Sequence, residues 1–117
     1  MILTNVSNRS IIADKVELAD DPFSRMKGLL GRQGLGQGEA LVITQCNSIH
    51  MFFMRFAIDA VFVDRSWQVV GLVRGIKPFG LSPVFWKASA VIELTPGSID
   101  RCGLQPGTHI FLDKTAS

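Results

Sequence analysis

The sequence has 117 residues, of which 47% are hydrophobic and 19% are charged. This length and composition predict one globular domain over residues 1–117 and exclude a disordered chain, which would be poorer in apolar side chains. The formal net charge is only +2 and no run of like charges occurs, so we do not expect nucleic acid as the main partner.

Two cysteines, Cys46 and Cys102, lie far apart and lack CxxC spacing. The sequence therefore predicts reduced thiols, with neither a disulfide framework nor a structural zinc site. The first residues lack the basic start and apolar block of a secretory signal, and no apolar run reaches the roughly 18 residues that span a bilayer. We therefore expect a cytoplasmic protein with no membrane partner.

A first strand is predicted over residues 11–18, where apolar and polar side chains alternate imperfectly. The segment ADDPFSRMKGLLGR that follows has the marks of a short helix. Asp20 or Asp21 can cap its free N–H groups, and Pro22 fits its first turn. Gly31 can end the helix in a left-handed conformation. The glycine-spaced stretch GRQGLGQGEA is then a loop that either connects two elements or borders a pocket.

Five further strands are predicted, over residues 40–44, 51–63, 67–73, 90–94 and 109–112. The turn DRSW is short enough for a hairpin, whereas RGIKPFGLSPVFWKAS contains two prolines and two glycines and predicts a surface loop. A helical turn is predicted over residues 98–102. This order of elements predicts a mainly β fold with a minor α part. We expect an antiparallel sheet curled into a barrel or sandwich, with one or two short helices.

The stretch CNSIHMFFMRFAIDAVFVD, residues 46–64, places polar side chains inside an apolar run. Strand alternation puts Arg55 and Asp59 on one face, and a buried carboxylate there needs donors or water. Arg55 would lie roughly 13 Å from Asp59 along the strand. We therefore expect Arg25 or Arg32, from the helix and loop upstream, to pair with Asp59. Such a pair would either fix the register of the strand or face a ligand.

The same stretch also contains residues that could bind a metal ion. Cys46, His50 and Met54 recur every four residues and would share one face of a helix. On a strand they would span about 26 Å, so no shared metal site is predicted. His50 is expected either to bond to a backbone carbonyl or to act as a catalytic base. Glu93, in AVIELTPG, is expected to point either into solvent or into the same pocket as Asp59.

Three blocks, RMKGLLGR, CNSIHMFFMRFAIDAVFVD and AVIELTPGSIDRCGLQPGTHI, resemble in this order the prokaryotic family called domain of unknown function 192. The resemblance runs from about residue 16 to residue 112. It implies a compact, mainly β domain with a short helix and no established activity. Three positions depart from the family pattern: Met51 replaces a threonine, Ala57 replaces a proline, and Trp67 replaces a turn glycine. The matching signature positions are Arg25, Gly28, Leu29, Arg32, Cys46, Ser48, His50, Phe52, Met54, Arg55, Ile58, Asp59, Asp64, Glu93, Leu94, Pro96, Gly97, Gly103, Leu104 and Gly107.

Three functions remain open on these residues. The leading one is a binding module for a small polar or anionic ligand or an extended peptide, and its predicted pocket residues are Arg25, Arg32, His50, Arg55 and Asp59. The second is a hydrolase or isomerase with His50 as base, Asp59 orienting it and Cys46 as nucleophile. The third is a structural or adaptor protein that uses KPFGLSPVFW as a contact patch, unless this loop instead folds back as a lid on the core. Phosphate-loop, dinucleotide, HExxH and GxSxG motifs are absent, so we expect no cofactor and no metal.

Overall fold

The computed structural model describes residues 1–21, 24–25, 32–51 and 54–116. Within them, three strands form a sheet of order β2-β1-β8 and five form a sheet of order β3-β4-β7-β5-β6. The predicted mainly β fold is confirmed, in the form of two sheets and one described helix. The elements are β1 (Ile2–Asn5), β2 (Ile11–Ala13), β3 (Lys15–Ala19), β4 (Glu39–Thr44), β5 (Ile58–Val63), β6 (Val69–Ile76), β7 (Ala90–Leu94), α1 (Ser98–Arg101) and β8 (Ile110–Asp113).

The larger sheet is not wholly antiparallel, because β3 runs parallel to β4. Every other strand pair in the described residues is antiparallel. The antiparallel prediction is therefore wrong at this edge. A parallel pair needs a long crossover connection, and residues 20–38 provide it. Ser24 and Arg25 have helical backbone, while most of the helix predicted in this connection lies outside the described residues.

Two strand predictions have different boundaries in the structure. The strand predicted over residues 11–18 is divided at Asp14 into β2 and β3, which belong to different sheets. The strand predicted over residues 51–63 begins only at Ile58. Apolar residues before Ile58, such as Met51 and Met54, are buried as parts of a covering loop. Arg55 lies in this loop, so the alternation of side chains along a strand does not determine which face it is on.

The five-stranded sheet is buried on both faces, and we number these faces one and two. Face one packs against the small sheet and α1, so that Val61 and Ile92 share a core with Leu3 and Ile99. Face two packs against loops and carries Phe62 among other apolar side chains. All six residues of β5 are buried, which explains why its sequence reads as a nearly continuous apolar run.

Face two is covered in part by residues 77–87, which we call the strap. The strap runs beside residues 47–51 and is joined to them by backbone hydrogen bonds. The Met51 N–H donates to the Gly80 carbonyl at 2.8 Å, and the Ser82 N–H donates to the Ile49 carbonyl at 2.9 Å. These bonds fix the strap to the body of the protein.

The strap is also anchored by Phe85, whose ring centroid lies 4.6 Å from that of Phe62. A Cβ atom on Gly71 of β6 would clash with the Phe85 ring. We expect Gly71→Ala to lower the free energy of unfolding by about 1–3 kcal/mol, because Phe85 must move. Urea denaturation measures the effect, with Gly34→Ala as the control, since a Cβ at Gly34 meets no atom within 4 Å. Equal stability of the two variants would contradict the packing of Phe85 on β6.

The hairpin between β5 and β6 keeps a tight turn although a tryptophan occupies the expected glycine position. The Trp67 N–H donates to the Asp64 carbonyl at 3.0 Å. The Asp64 carboxylate accepts the N–H groups of Ser66 at 2.9 Å and Gln68 at 3.0 Å. Trp67 has φ 61°, in the left-handed region that glycine adopts more readily. Its indole packs against the core of face one, which compensates for that conformation.

Candidate functional site

Asp59 is buried on face one, with 1% of its surface exposed. Its Oδ1 accepts the Gly75 N–H at 2.9 Å, and its Oδ2 accepts the Gly97 N–H at 3.1 Å and the Ile99 N–H at 3.0 Å. Gly97 precedes α1 and Ile99 lies in its first turn, so this carboxylate caps the helix from a neighbouring strand. The prediction that Arg25 or Arg32 pairs with Asp59 is therefore wrong.

The predicted pocket arginines lie apart from Asp59. Arg25 donates from Nη1 to the Asp20 carbonyl at 2.7 Å. Arg32 forms an ion pair with Glu17 of the edge strand β3. Arg55 is exposed, in the loop that precedes β5. The structure thus does not gather these side chains around the buried carboxylate, and a ligand-binding role for each of them stays a prediction.

The residues of the predicted enzyme site are not assembled into a catalytic group. His50 is exposed and forms a β-bridge with Leu81 of the strap. Both oxygens of Asp59 are bonded to backbone N–H groups, and neither bonds to the imidazole. The Cys46 thiol donates to the Ser48 carbonyl at 3.1 Å. His50 therefore lacks the orienting contact with Asp59 that the hydrolase or isomerase hypothesis requires.

Glu93 is a nearly buried acid on β7, the middle strand of the larger sheet, with 6% of its surface exposed. It is paired in register with Leu41 and Ala60, which places it on face two, opposite to Asp59. The predictions that it points into solvent or shares a pocket with Asp59 are both wrong. Its carboxylate takes part in neither of the two ion pairs found within the described residues. Burial raises the pKa of Glu93 to about 7.

Cys46 is half-buried on the same face, just beyond the end of β4. Burial raises the pKa of its thiol, and the charge of Glu93 raises it further. A thiol with a raised pKa is mostly protonated near neutral pH and is a weak nucleophile. Cys46 is thus better suited to lining a binding site than to attacking a substrate.

Cys46 also lines an open cleft of about 810 Å³, which we call the Cys46 cleft. Arg65 and Lys87 bring two cationic side chains to its wall, and Asp64 brings one carboxylate. Trp86 brings an indole that is 84% exposed. The other lining residues are Gln45, Asn47, Ser66, Ala88 and Ser89.

Sequence reasoning missed this cleft, because none of the predicted pocket residues lines it. Its cations come from the β5–β6 turn and from the strap, which are distant in sequence and meet only in the fold. One signal was available in the chain. Residues 65–92 contain no Asp or Glu and four cations, namely Arg65, Arg74, Lys77 and Lys87.

The described ranges of the structure contain neither a metal-binding cluster nor a helix that could span a membrane. No group of three or more His, Cys, Asp or Glu side chains there is placed to hold a metal ion. None of the helices described is both long enough and apolar enough to cross a bilayer.

Comparison with known proteins supports the resemblance drawn from the sequence. The model of the DUF192 family, described as "Uncharacterized ACR, COG1430", matches residues 3–112. The chain belongs to this family. A UPF0127 protein of Thermococcus sibiricus (strain DSM 12597 / MM 739) is 32% identical to it over 113 residues, which cover 93% of this chain and 73% of that protein.

Two crystal structures share the fold of this DUF192 member. One is a protein of unknown function from Novosphingobium aromaticivorans DSM 12444, with a TM-score of 0.82 and 24% identity, covering 95% of this chain and 82% of that one. The other, from Sinorhizobium meliloti 1021, is proposed to regulate transcription; it has a TM-score of 0.79 and 22% identity, covering 94% of this chain and 89% of that one. At these identities the likeness shows the fold alone.

Five of the signature positions of the DUF192 family fall into two groups in this structure. Asp59 and Gly97 contact each other directly and hold α1 on β5. Cys46 and Glu93 lie on face two, and Cys46 with Asp64 lines the cleft. The first group has a structural role, because its hydrogen bond attaches α1 to β5. The second group, in which the charge of the nearly buried Glu93 acts on the thiol of Cys46, points to the Cys46 cleft as the candidate site.

Proposed function

We propose that this DUF192 protein is a binding module that takes up a small anionic ligand in the Cys46 cleft. The observation that carries the proposal is the meeting of Arg65, Lys87 and the exposed indole of Trp86 in one open cleft. A guanidinium holds a carboxylate or phosphate through two parallel hydrogen bonds, and an ammonium adds a second positive charge. An exposed indole offers a flat apolar surface. An aromatic carboxylate or aryl phosphate matches all three groups.

The chemistry of the lining residues favours binding over catalysis. The Cys46 thiol has a raised pKa, caused chiefly by burial, which disfavours its use as a nucleophile. Asp64 is the carboxylate of the wall, and its Oδ1 is already bonded to the backbone of the β5–β6 turn. The two cations therefore exceed the available negative charge, and an anion would balance them.

The proposal is tested by thermal-shift titration at neutral pH with benzoate, phenylacetate, phenyl phosphate and inorganic phosphate. At least one of the aromatic anions is expected to raise the melting temperature. Arg65→Ala and Lys87→Ala should each weaken that ligand about tenfold or more, because a hydrogen bond to a charged group is lost. Arg74→Ala is the matched control, since Arg74 pairs with Asp100 and does not line the cleft.

Two results would overturn the assignment of the cleft. One is a native protein whose melting temperature responds to none of the four anions. The other is an equal loss of affinity in the Arg74→Ala control and in Arg65→Ala, which would show that binding depends on general charge rather than on this cleft.

A further inference from the structure

The strap carries large apolar side chains that project outward. Leu81 is 67% exposed, Val84 is 43% exposed and Trp86 is 84% exposed. The backbone that carries them is held in place, because the Phe85 N–H donates to the Asn47 carbonyl at 2.8 Å. Leu81 and Val84 therefore stand on a fixed support outside the Cys46 cleft, and Trp86 stands beside them at the wall of that cleft.

The charge around these side chains is mainly positive, although Asp64 lines the Cys46 cleft together with Trp86 and Lys87. Lys77 and Lys87, both exposed, stand at the two ends of the strap, and residues 65–92 contain no acid. A second copy of the chain docked edge to edge would bring the same cations together, which like-charge repulsion disfavours. A surface that is both apolar and anionic is complementary to the strap.

We propose that the strap docks this protein on the surface of an anionic lipid bilayer. Leu81, Val84 and Trp86 enter the headgroup region, while Lys77 and Lys87 contact lipid phosphates. From residue 81 to residue 86 the chain spans at most about 20 Å, so these side chains can reach one interface together. Tryptophan is enriched in the headgroup region of membranes, because its ring is apolar and its N–H is polar.

This inference shares Trp86 and Lys87 with the Cys46 cleft but does not rest on the ligand proposed there, because Leu81, Val84 and Lys77 do not line that cleft. It departs from the expectation of no membrane partner, which considered only segments that cross a bilayer. Docking on the surface needs no such segment; it needs an apolar edge and nearby cations.

The test is co-sedimentation with vesicles of phosphatidylcholine mixed with phosphatidylserine, and with vesicles of phosphatidylcholine alone. We expect binding to the mixed vesicles, much weaker binding to the neutral ones, and loss of binding at high salt. Leu81→Asp should weaken binding about tenfold or more, because an apolar contact is lost and a negative charge is gained. The double variant Lys77→Ala with Lys87→Ala should weaken it about 30-fold. Phe111→Ala is the control, since Phe111 is 56% exposed on β8, a strand of the smaller sheet.

Several results would overturn the proposal that the strap docks on anionic lipid. Equal binding to both kinds of vesicle, or to neither, overturns the proposal, as does an equal loss in Phe111→Ala and Leu81→Asp. Gel filtration that shows a dimer dissociated by Leu81→Asp also overturns it, since the strap would then be a contact between copies of this chain. A thermal melt of each variant confirms folding, and Val84→Asp replaces Leu81→Asp if the latter is unfolded.

Discussion

Replacing Asp59 with alanine is expected to lower the free energy of unfolding by about 3 kcal/mol or more, because three backbone N–H groups lose their acceptor. Each buried donor left without a partner costs roughly 1–3 kcal/mol. The Ile99 N–H is the most enclosed of the three, and it stands at the start of α1, where a carboxylate is also favoured by the helix dipole. The loss therefore weakens the attachment of α1 to β5.

Urea denaturation of Asp59→Ala measures this effect against Asp100→Ala. Asp100 also lies in the first turn of α1, but its partner Arg74 is exposed and so is its own side chain. Removing an exposed ion pair should change the free energy of unfolding by less than about 1 kcal/mol. Asp59→Asn keeps one acceptor oxygen and should fall between the two variants. If Asp59→Ala and Asp100→Ala are equally stable, the carboxylate does not hold α1 as described.

The sequence predicts that the carboxylate of Asp59 needs hydrogen-bond donors, but it does not predict which groups donate. An acid inside an apolar run must be paired, and that inference holds. An arginine can be recognised as a candidate donor directly from the sequence, because its side chain always carries a positive charge. Backbone N–H groups carry no such signal, and those of Gly97 and Ile99 come from 38 and 40 positions further along the chain. Only the folded topology brings them to the carboxylate.

The strands with regular patterns and clear turns were the predictable part of the fold. The predicted strands over residues 40–44 and 90–94 correspond to β4 and β7, which pair with each other in the middle of the larger sheet. Two features left no local signal. The four residues of β1 are too few to show alternation, and the parallel direction of β3 depends on the path of the connection rather than on the strand's own residues.

The candidate site was less predictable than the fold, because its parts are joined by tertiary contacts alone. The Cys46 cleft combines the end of β4, the β5–β6 turn and the strap. Glu93 illustrates the same limit, since its position on β7 is evident from the pattern while the burial of its face depends on loops that cover it.

Replacing Glu93 with glutamine is expected to stabilise the protein above neutral pH and to leave it nearly unchanged in acid. Burial raises the pKa of Glu93 to about 7, against 4.5 for an ordinary glutamate. Between these values the folded state holds a proton that the unfolded state has released. The free energy of unfolding of the native protein therefore falls as pH rises from about 4.5 to about 7, and it stays lower above that window.

The size of this effect follows from the same two pKa values, whose difference corresponds to roughly 3 kcal/mol. Glu93→Gln has nearly the shape of the protonated acid and does not ionise. It should match the native protein near pH 4 and exceed its free energy of unfolding by up to roughly 3 kcal/mol near pH 8. Urea denaturation at a series of pH values measures the difference. Glu17→Gln is the control, because Glu17 forms an ion pair at the surface and its loss should cost less than about 1 kcal/mol.

A stability gain in Glu93→Gln would give the second group of signature residues a physical meaning. A buried acid that destabilises its own fold at neutral pH is typical of a functional position, where activity rather than stability determines the residue. Near neutral pH, a carboxyl group with a pKa of about 7 is present in both its forms. The protonated form can donate a hydrogen bond, and the ionised form can accept one. Glu93 does not line the Cys46 cleft, but its charge acts on the Cys46 thiol that does. We therefore expect Glu93→Gln to combine higher stability with altered pH dependence of ligand binding in that cleft. If the two proteins instead differ equally at every pH, burial does not raise the pKa of Glu93 as described, and its role on face two is packing.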